Sequence, residues 1–281
     1  MARIGVHVSI LGSIDKAVDR ASERNCDTFQ LFTRNPRQWK SKGLSEEKVS
    51  DFTEKIRRTK IGPVVAHMPY LPNIASPRRA IHRKSVDALT SELKRCGRLK
   101  IPYLVTHSGS HMGTGFEEGL RNALNAIDTS LSEASNEVIL LLENTAGARN
   151  SMCSTFEEIQ TMIERMGKFG EKVGVCLDTC HAFAAGYDLR GEKAVETSID
   201  LFRDLIGLRR LRVIHANDSK GGFNSRTDRH EHIGLGKIGE EGFRAILHHR
   251  DLRDLPFIME TPVNEARDDY QNIKKLRELA K

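Results

Sequence analysis

Long apolar runs are missing from this chain. No stretch approaches the roughly 18 consecutive apolar residues that a membrane-spanning helix needs, which excludes a transmembrane protein. The opening Met1-Ala2-Arg3-Ile4-Gly5-Val6-His7-Val8-Ser9 lacks the apolar core of a secretory signal peptide. Cysteine is also scarce. Cys26, Cys96, Cys153, Cys176 and Cys180 are odd in number and too scattered for a disulfide framework, so a reducing, cytoplasmic setting is expected. Low-complexity tracts and linkers are absent, and a single domain over residues 1–281 is expected. Charge is nearly balanced, with 44 Lys+Arg against 38 Asp+Glu for a net +6; the excess hints at an anionic partner but decides nothing. What remains is an ordinary globular composition, 38% hydrophobic and 29% charged. Its length suits two average domains or one α/β barrel of about 250 residues.

Short apolar runs alternate with longer amphipathic stretches. The runs are Ile4–Val8, Thr28–Phe32, Val64–Ala66, Tyr103–Thr106, Val138–Leu142, Val173–Leu177, Leu211–Ile214 and Phe257–Met259. Several are apolar on both alternations, as strands covered on both faces would be. Between them, Ile14–Arg24, Glu46–Arg58, Arg78–Leu99, Phe116–Ser132, Thr155–Met166, Ala194–Leu208, Glu240–His248 and Asp268–Leu279 carry apolar residues at threes and fours. Ser45 and the Ser154-x-x-Glu157 box supply helix starts. Strict alternation implies a parallel sheet. An open doubly wound sheet would show a switch point, and none is visible. The expected fold is a single (β/α)8 TIM barrel, with functional groups gathered where the strands end.

Polar residues do gather there. His67, His107, Glu143, Asp178, His215 and Glu260 close six of the eight runs, and the loops beyond add His181, Asp228 and His230. Any one of these is more readily a hydrogen-bonded structural residue than a ligand. Convergence changes that reading, because a barrel opens every strand end on one face. Four carboxylates and five imidazoles desolvated together require cations. Imidazole nitrogen with carboxylate oxygen suits zinc, with manganese or iron as alternatives. Nine ligands need two or three ions, and a carboxylate such as Glu143 could bridge a pair. Closely spaced metal pairs are the usual machinery of phosphate-ester hydrolysis.

Other motifs carry less. Gly234-Leu-Gly236-Lys-Ile-Gly239 matches a dinucleotide fingerprint but follows Thr227–His232, which is no strand, so a flexible loop rimming the bowl is expected. Cys176 and Cys180 read as buried thiols, with ligation beside Asp178 and His181 as the alternative. The loop Thr33-Arg34-Asn35-Pro36-Arg37-Gln38-Trp39-Lys40 and the segment Met68-Pro69-Tyr70-Leu71-Pro72-Asn73 combine basic, aromatic and stiffening residues. Alone, each reads as packing under a loop. Above a metal bowl they suit stacking on or wedging between bases, with a basic rim of Arg34, Arg37, Lys40, Lys220, Arg226, Arg229 and Lys237 on phosphates.

From end to end the sequence resembles the endonuclease IV family of apurinic/apyrimidinic endonucleases. The resemblance is carried by Gly5-Val-His7-Val-Ser9, Leu31–Trp39, His67–Ala75, His107-Ser-Gly109-Ser110-His111, Leu142–Gly147, Gly174–Asp188, His215–Lys220, Asp228–His230 and Met259-Glu260-Thr261. It implies three Zn2+ ions, with Mn2+ or Fe2+ in some sites. His67, His107 and Glu143 would hold one ion. A second would sit on Glu143, Asp178, His215 and Glu260, with Glu143 bridging, and a third on His181, Asp228 and His230. It implies hydrolysis of the phosphodiester 5′ to an abasic site in double-stranded DNA, leaving a 3′-hydroxyl and a 5′ deoxyribose phosphate, and trimming of blocked 3′ ends. Glu143 and Glu260 would be the catalytic carboxylates, and Arg37, Tyr70 and Leu71 would insert into DNA at the lesion. A monomer working on the nucleoid in the cytoplasm is expected. Two other readings stay open on the residues alone: a sugar-phosphate isomerase or epimerase, to which the basic rim and Asp228-Arg229-His230 are surplus, and a non-catalytic binder with structural metals.

Overall fold

The computed structural model describes residues 2–40 and 43–281. Its frame is a parallel barrel built from β1 (Arg3–Val8), β2 (Phe29–Leu31), β3 (Val64–His67), β4 (Tyr103–His107), β5 (Ile139–Glu143), β6 (Val173–Asp178) and β7 (Leu211–His215). A two-stranded antiparallel ribbon, β8 (Asp218–Ser219) and β9 (His230–Glu231), intervenes before β10 (Pro256–Met259) closes the barrel in the order β1-β10-β7-β6-β5-β4-β3-β2. The expected TIM barrel is therefore present. All eight expected runs are barrel strands, shortened or extended by a residue or two. The wrapping helices are α1 (Lys16–Glu23), α2 (Glu46–Thr59), α3 (Arg79–Leu99), α4 (Phe116–Ala134), α5 (Phe156–Glu164), α7 (Glu192–Leu205), α8 (Gly239–His248) and α9 (Asp269–Leu279), with a short α6 (Thr179–Ala185) between β6 and α7.

Strands such as β5 are apolar on both alternations because two different cores claim their two faces. Outward side chains meet the helices in the main hydrophobic cluster, while Val65, Val105, Leu141, Cys176, Val213 and Ile258 form a separate cluster inside the barrel. Each inner residue precedes a predicted ligand by two positions: His67, His107, Glu143, Asp178, His215 and Glu260. A strand repeats its direction every second residue. The apolar layer that fills the barrel therefore aims the next layer, the polar one, into the mouth. β1 obeys the same parity through Gly5 and His7, and β2 through Gln30, with Thr28 just ahead of the strand. Gly5 is required because a Cβ there would lie 1.7 Å from the Thr28 carbonyl oxygen.

Two local expectations are corrected. The start of α5 is capped by Thr155, whose hydroxyl accepts from Glu158 N at 3.2 Å, while the Glu158 carboxylate accepts from Ser154 N at 2.8 Å. The cap thus lies one residue later than the Ser154 box. The segment after Asp178, expected as loop, is α6. Asp178 ends β6 and immediately caps the new helix, its Oδ1 accepting from His181 N at 2.8 Å. Among the described residues no helix is long and apolar enough to cross a membrane, and all five cysteines are free and buried.

Candidate metal centre

Strand pairing brings the ligand candidates side by side: His107 lies opposite Glu143 and Asp178 opposite His215. Glu143 sits at the centre, fully buried. One oxygen, Oε2, is 3.0 Å from His67 Nε2 and 3.5 Å from His107 Nε2. The other, Oε1, is 3.0 Å from His215 Nδ1. The carboxylate thus divides itself between two groups of candidate ligands. His67, His107 and Glu143 form one set with ligand atoms within 4.8 Å of one another; Glu143, Asp178, His215 and Glu260 form another.

The third expected set is drawn differently. His181 Nε2 lies 3.2 Å from Asp228 Oδ1, and His230 Nε2 lies 3.6 Å from the same oxygen. The compact groupings here are Asp178 with His181 and His230, and Cys180 with Asp228 and His230. Burial holds the Cys180 thiol up at about 12, far above neutral pH. Asp228 itself is the most exposed of the nine, on a loop.

Whether these residues suit a metal is decided by the ring nitrogens that face away from the cluster. His67 Nδ1 donates to the Met68 carbonyl at 2.7 Å, His181 Nδ1 to the Asn144 carbonyl at 2.9 Å, and His230 Nδ1 to the Glu260 carbonyl at 3.1 Å. Each leaves Nε2 facing inward, which is how ligating imidazoles are fixed in orientation and tautomer. His181 Nε2 and His230 Nε2 are buried with no hydrogen-bond partner. Orphaned buried nitrogens are costly unless something occupies them, and a divalent cation fits the donor set.

Electrostatics of the cluster carry the same sign. Burial alone would lower His181, but Asp178, Asp228 and Glu143 outweigh it and raise the imidazole to about 10. Burial likewise works against ionised Glu143, yet His107, His215 and His67 hold it well below the ordinary carboxylate range. Protons on His67, His181 and His215 thus supply positive charge that the carboxylates demand, whereas burial holds His107 below its ordinary value.

Two residues in this layer are not marked as site groups by the sequence pattern. The Gln30 amide donates to Glu260 Oε1 at 2.6 Å and to His7 Nδ1 at 3.0 Å, and accepts from His215 Nε2 at 2.8 Å. His7 lies 3.6 Å from Glu260 Oε1. Parity with Gly5 and Thr28 is the signal that could have found them. Asn217 is a third, donating to Asp178 Oδ2 at 2.7 Å and accepting from Glu260 N at 2.7 Å.

Around the mouth, Tyr70 and Leu71 are exposed at 71% and 38%, and Arg37 is exposed nearby on the β2–α2 loop. Tyr70 leans edge-on against Phe32, which in turn contacts His7 and His67. Trp39 does not protrude; it is half-buried with Lys84 over its ring at 5.7 Å. Arg34 also leaves the expected rim, being buried and paired with Glu92. The glycine loop is pinned, not flexible. The Asp218 carboxylate accepts from the backbone N–H groups of Gly234, Gly236, Ile238 and Gly239, and a Cβ on Gly236 would meet that carboxylate at 2.4 Å.

The profile of the xylose isomerase-like TIM barrel family matches residues 18–279. The probable endonuclease 4 of Methanoculleus marisnigri is 53% identical over 281 residues, 100% of this chain and 99% of that one. The chain belongs to the endonuclease 4 family. Membership places it among metal-dependent nucleases, hydrolases of phosphodiester bonds. The endonuclease IV crystal structure from Thermus thermophilus superposes with a TM-score of 0.86 at 34% identity, covering 99% of this chain and 98% of that one. A D-tagatose 3-epimerase-like protein, at 19% identity and a TM-score of 0.74 over 99% and 96% of the two chains, shares the fold alone.

Proposed function

We propose that this protein is an apurinic/apyrimidinic endonuclease of DNA repair, hydrolysing the phosphodiester 5′ to an abasic site and trimming blocked 3′ ends. The observation that carries the reading is Glu143, a buried carboxylate with one oxygen toward His67 and His107 and the other toward His215. We assign the nine ligands to three Zn2+ ions, with Mn2+ or Fe2+ acceptable in some sites: His67, His107 and Glu143; Glu143, Asp178, His215 and Glu260; and His181, Asp228 and His230. Bound divalent ions would supply the Lewis acidity that acidifies water and neutralises charge at the attacked phosphate.

The protein's own groups do the rest. Glu143 and Glu260 hold negative charge at the centre of the mouth, and the carbonyl-tied imidazoles present fixed lone pairs rather than rotating rings. Water oxygen bonds to phosphorus and gives up a proton, the bond from phosphorus to the 3′ oxygen breaks, and that oxygen takes up a proton and leaves as an alcohol. Tyr70 and Leu71 stand between Pro69 and Pro72, which restrict the backbone and keep the wedge rigid. With Arg37 they would enter the duplex at the lesion, while Lys40, Lys220, Arg226, Arg229 and Lys237 meet phosphates. Double-stranded DNA is the partner, met by a monomer in the cytoplasm. The test is incision of a duplex carrying one defined abasic site, beside an undamaged duplex, with and without chelator. Chelator-sensitive cutting 5′ to the lesion is expected; equal cutting of both duplexes, or cutting that survives chelation, overturns the reading.

A further inference from the structure

A glutamine amide offers one acceptor and two hydrogens. In Gln30 all three are used, and all three reach residues of the candidate metal layer. The carbonyl oxygen takes the His215 Nε2 hydrogen at 2.8 Å; one amide hydrogen goes to Glu260 Oε1 at 2.6 Å and the other to His7 Nδ1 at 3.0 Å. Gln30 is fully buried in β2, one residue from either end of the strand, so its backbone cannot shift to make these bonds elsewhere. The contacts sort the atoms of the two ligands. His215 keeps its hydrogen on Nε2 and turns Nδ1 toward Glu143. Glu260 has Oε1 engaged and leaves Oε2, 3.6 Å from His215 Nδ1, on the cluster side.

We infer that Gln30 is the positioning residue of the ion held by Glu143, Asp178, His215 and Glu260: it selects Nδ1 of His215 and Oε2 of Glu260 as the ligating atoms. The inference rests on the metal-centre reading above. From β2, on one side of β1 in the barrel order, one amide therefore orients two ligands carried by β7 and β10 on the other side. An apolar side chain of the same length would leave His215 Nε2 without a partner, free to flip, and would remove the amide from Glu260 Oε1. Loss of such an outer contact weakens metal binding roughly 10–100-fold.

The experiment is cobalt(II) titration of chelator-stripped full-length protein, followed by visible absorption in competition with a chelator, for wild type, Gln30→Met and Gln30→Leu. Far-UV circular dichroism confirms that each variant is folded. The expected result is that one class of bound ion weakens at least tenfold in both variants and its absorption band changes, while the remaining ions keep their affinity. Unchanged cobalt affinity and spectrum in a folded variant overturns the role of Gln30 while leaving the metal centre standing. Wild type that takes up no cobalt overturns the metal centre itself. A second measurement needs no variant: histidine-ring nitrogen NMR of the zinc-loaded wild type should report His215 as the Nε2–H tautomer, and an Nδ1–H tautomer overturns the inference.

Discussion

Arg34 and Glu92 form a buried ion pair, Nε to Oε1 at 2.5 Å, with side chains 5% and 0% exposed. Glu92 lies in α3 and reaches across to the β2–α2 loop, where its other oxygen takes the Thr33 hydroxyl at 2.5 Å. Arg34 then donates to the Trp39 carbonyl at 2.7 Å and the Gln38 carbonyl at 3.3 Å, closing the loop around itself. Arg37 is thereby held on a short, braced arc at the mouth of the barrel. Removing one partner of a buried pair strands the other, at a cost of about 3–5 kcal/mol. Glu92→Leu should therefore lower unfolding free energy by about that amount in urea denaturation and expose the loop to trypsin after Arg37. The double variant Arg34→Leu/Glu92→Leu should recover most of the stability but not the trypsin resistance. Equal stability of Glu92→Leu and wild type would mean that the pair contributes nothing.

Glu143 touches both ligand sets, whereas Glu260 touches one. Glu143→Gln should therefore weaken more than one bound ion, and Glu260→Gln only one, measured as metals per chain after dialysis against chelator. On the proposed assignment, in which the reaction depends on ions held by these two carboxylates, both should lose incision of an abasic duplex by roughly 100-fold or more. Two variants with the same metal content would remove the bridging assignment, and substantial residual incision would remove these carboxylates from the reaction.

The polar layer at the barrel mouth is legible in the sequence because strand parity is a short-range rule. A His or carboxylate two residues beyond an inward Val, Leu or Ile points into the barrel whatever the rest of the chain does. His7 is masked because the apolar run Ile4–Val8 passes straight through it, and Gln30 because an uncharged amide inside a strand announces nothing. α6 is hidden by economy of length: seven residues beginning directly on a strand, with Asp178 serving as strand end, helix cap and ligand candidate at once. Arg34 resembles a rim residue because its partner Glu92 is 58 residues away, and the glycine loop reads as flexible because Asp218, which pins it, lies 16 to 21 residues earlier. Those are tertiary facts that no local pattern carries.

Protonation of His181 gives the stripped protein a pH signature. Burial opposes the charged ring, but Asp178, Asp228 and Glu143 raise it from an ordinary 6.5 to about 10. Because the folded value lies above the unfolded one, the stabilisation is fully present below about pH 6.5 and is lost as pH climbs through about 10. A bound cation displaces that proton. Melting temperature of chelator-stripped protein should fall between neutral pH and about 10 more steeply than that of the metal-loaded protein. Parallel profiles for the two forms would show that His181 carries no extra proton.

Tyr70 is 71% exposed and Leu71 38%, yet they stand between two prolines, and Tyr70 leans on Phe32 rather than folding back into the core. Large apolar side chains held out in water at the edge of a charged mouth are suited to a partner with flat apolar faces, which unstacked bases provide. Stacking contributes about 1–3 kcal/mol per base, so Tyr70→Ala should lower kcat/KM on an abasic duplex by roughly tenfold, and Leu71→Ala by a smaller factor. Arg37→Ala should weaken DNA binding and flatten the dependence of log affinity on log salt by about one phosphate contact. Because none of the three residues touches the ligand layer, metal content should stay at the wild-type level in each variant. Wild-type kcat/KM in Tyr70→Ala and Leu71→Ala would assign the exposed pair to something other than the lesion, and a salt slope unchanged in Arg37→Ala would take that guanidinium off the phosphates.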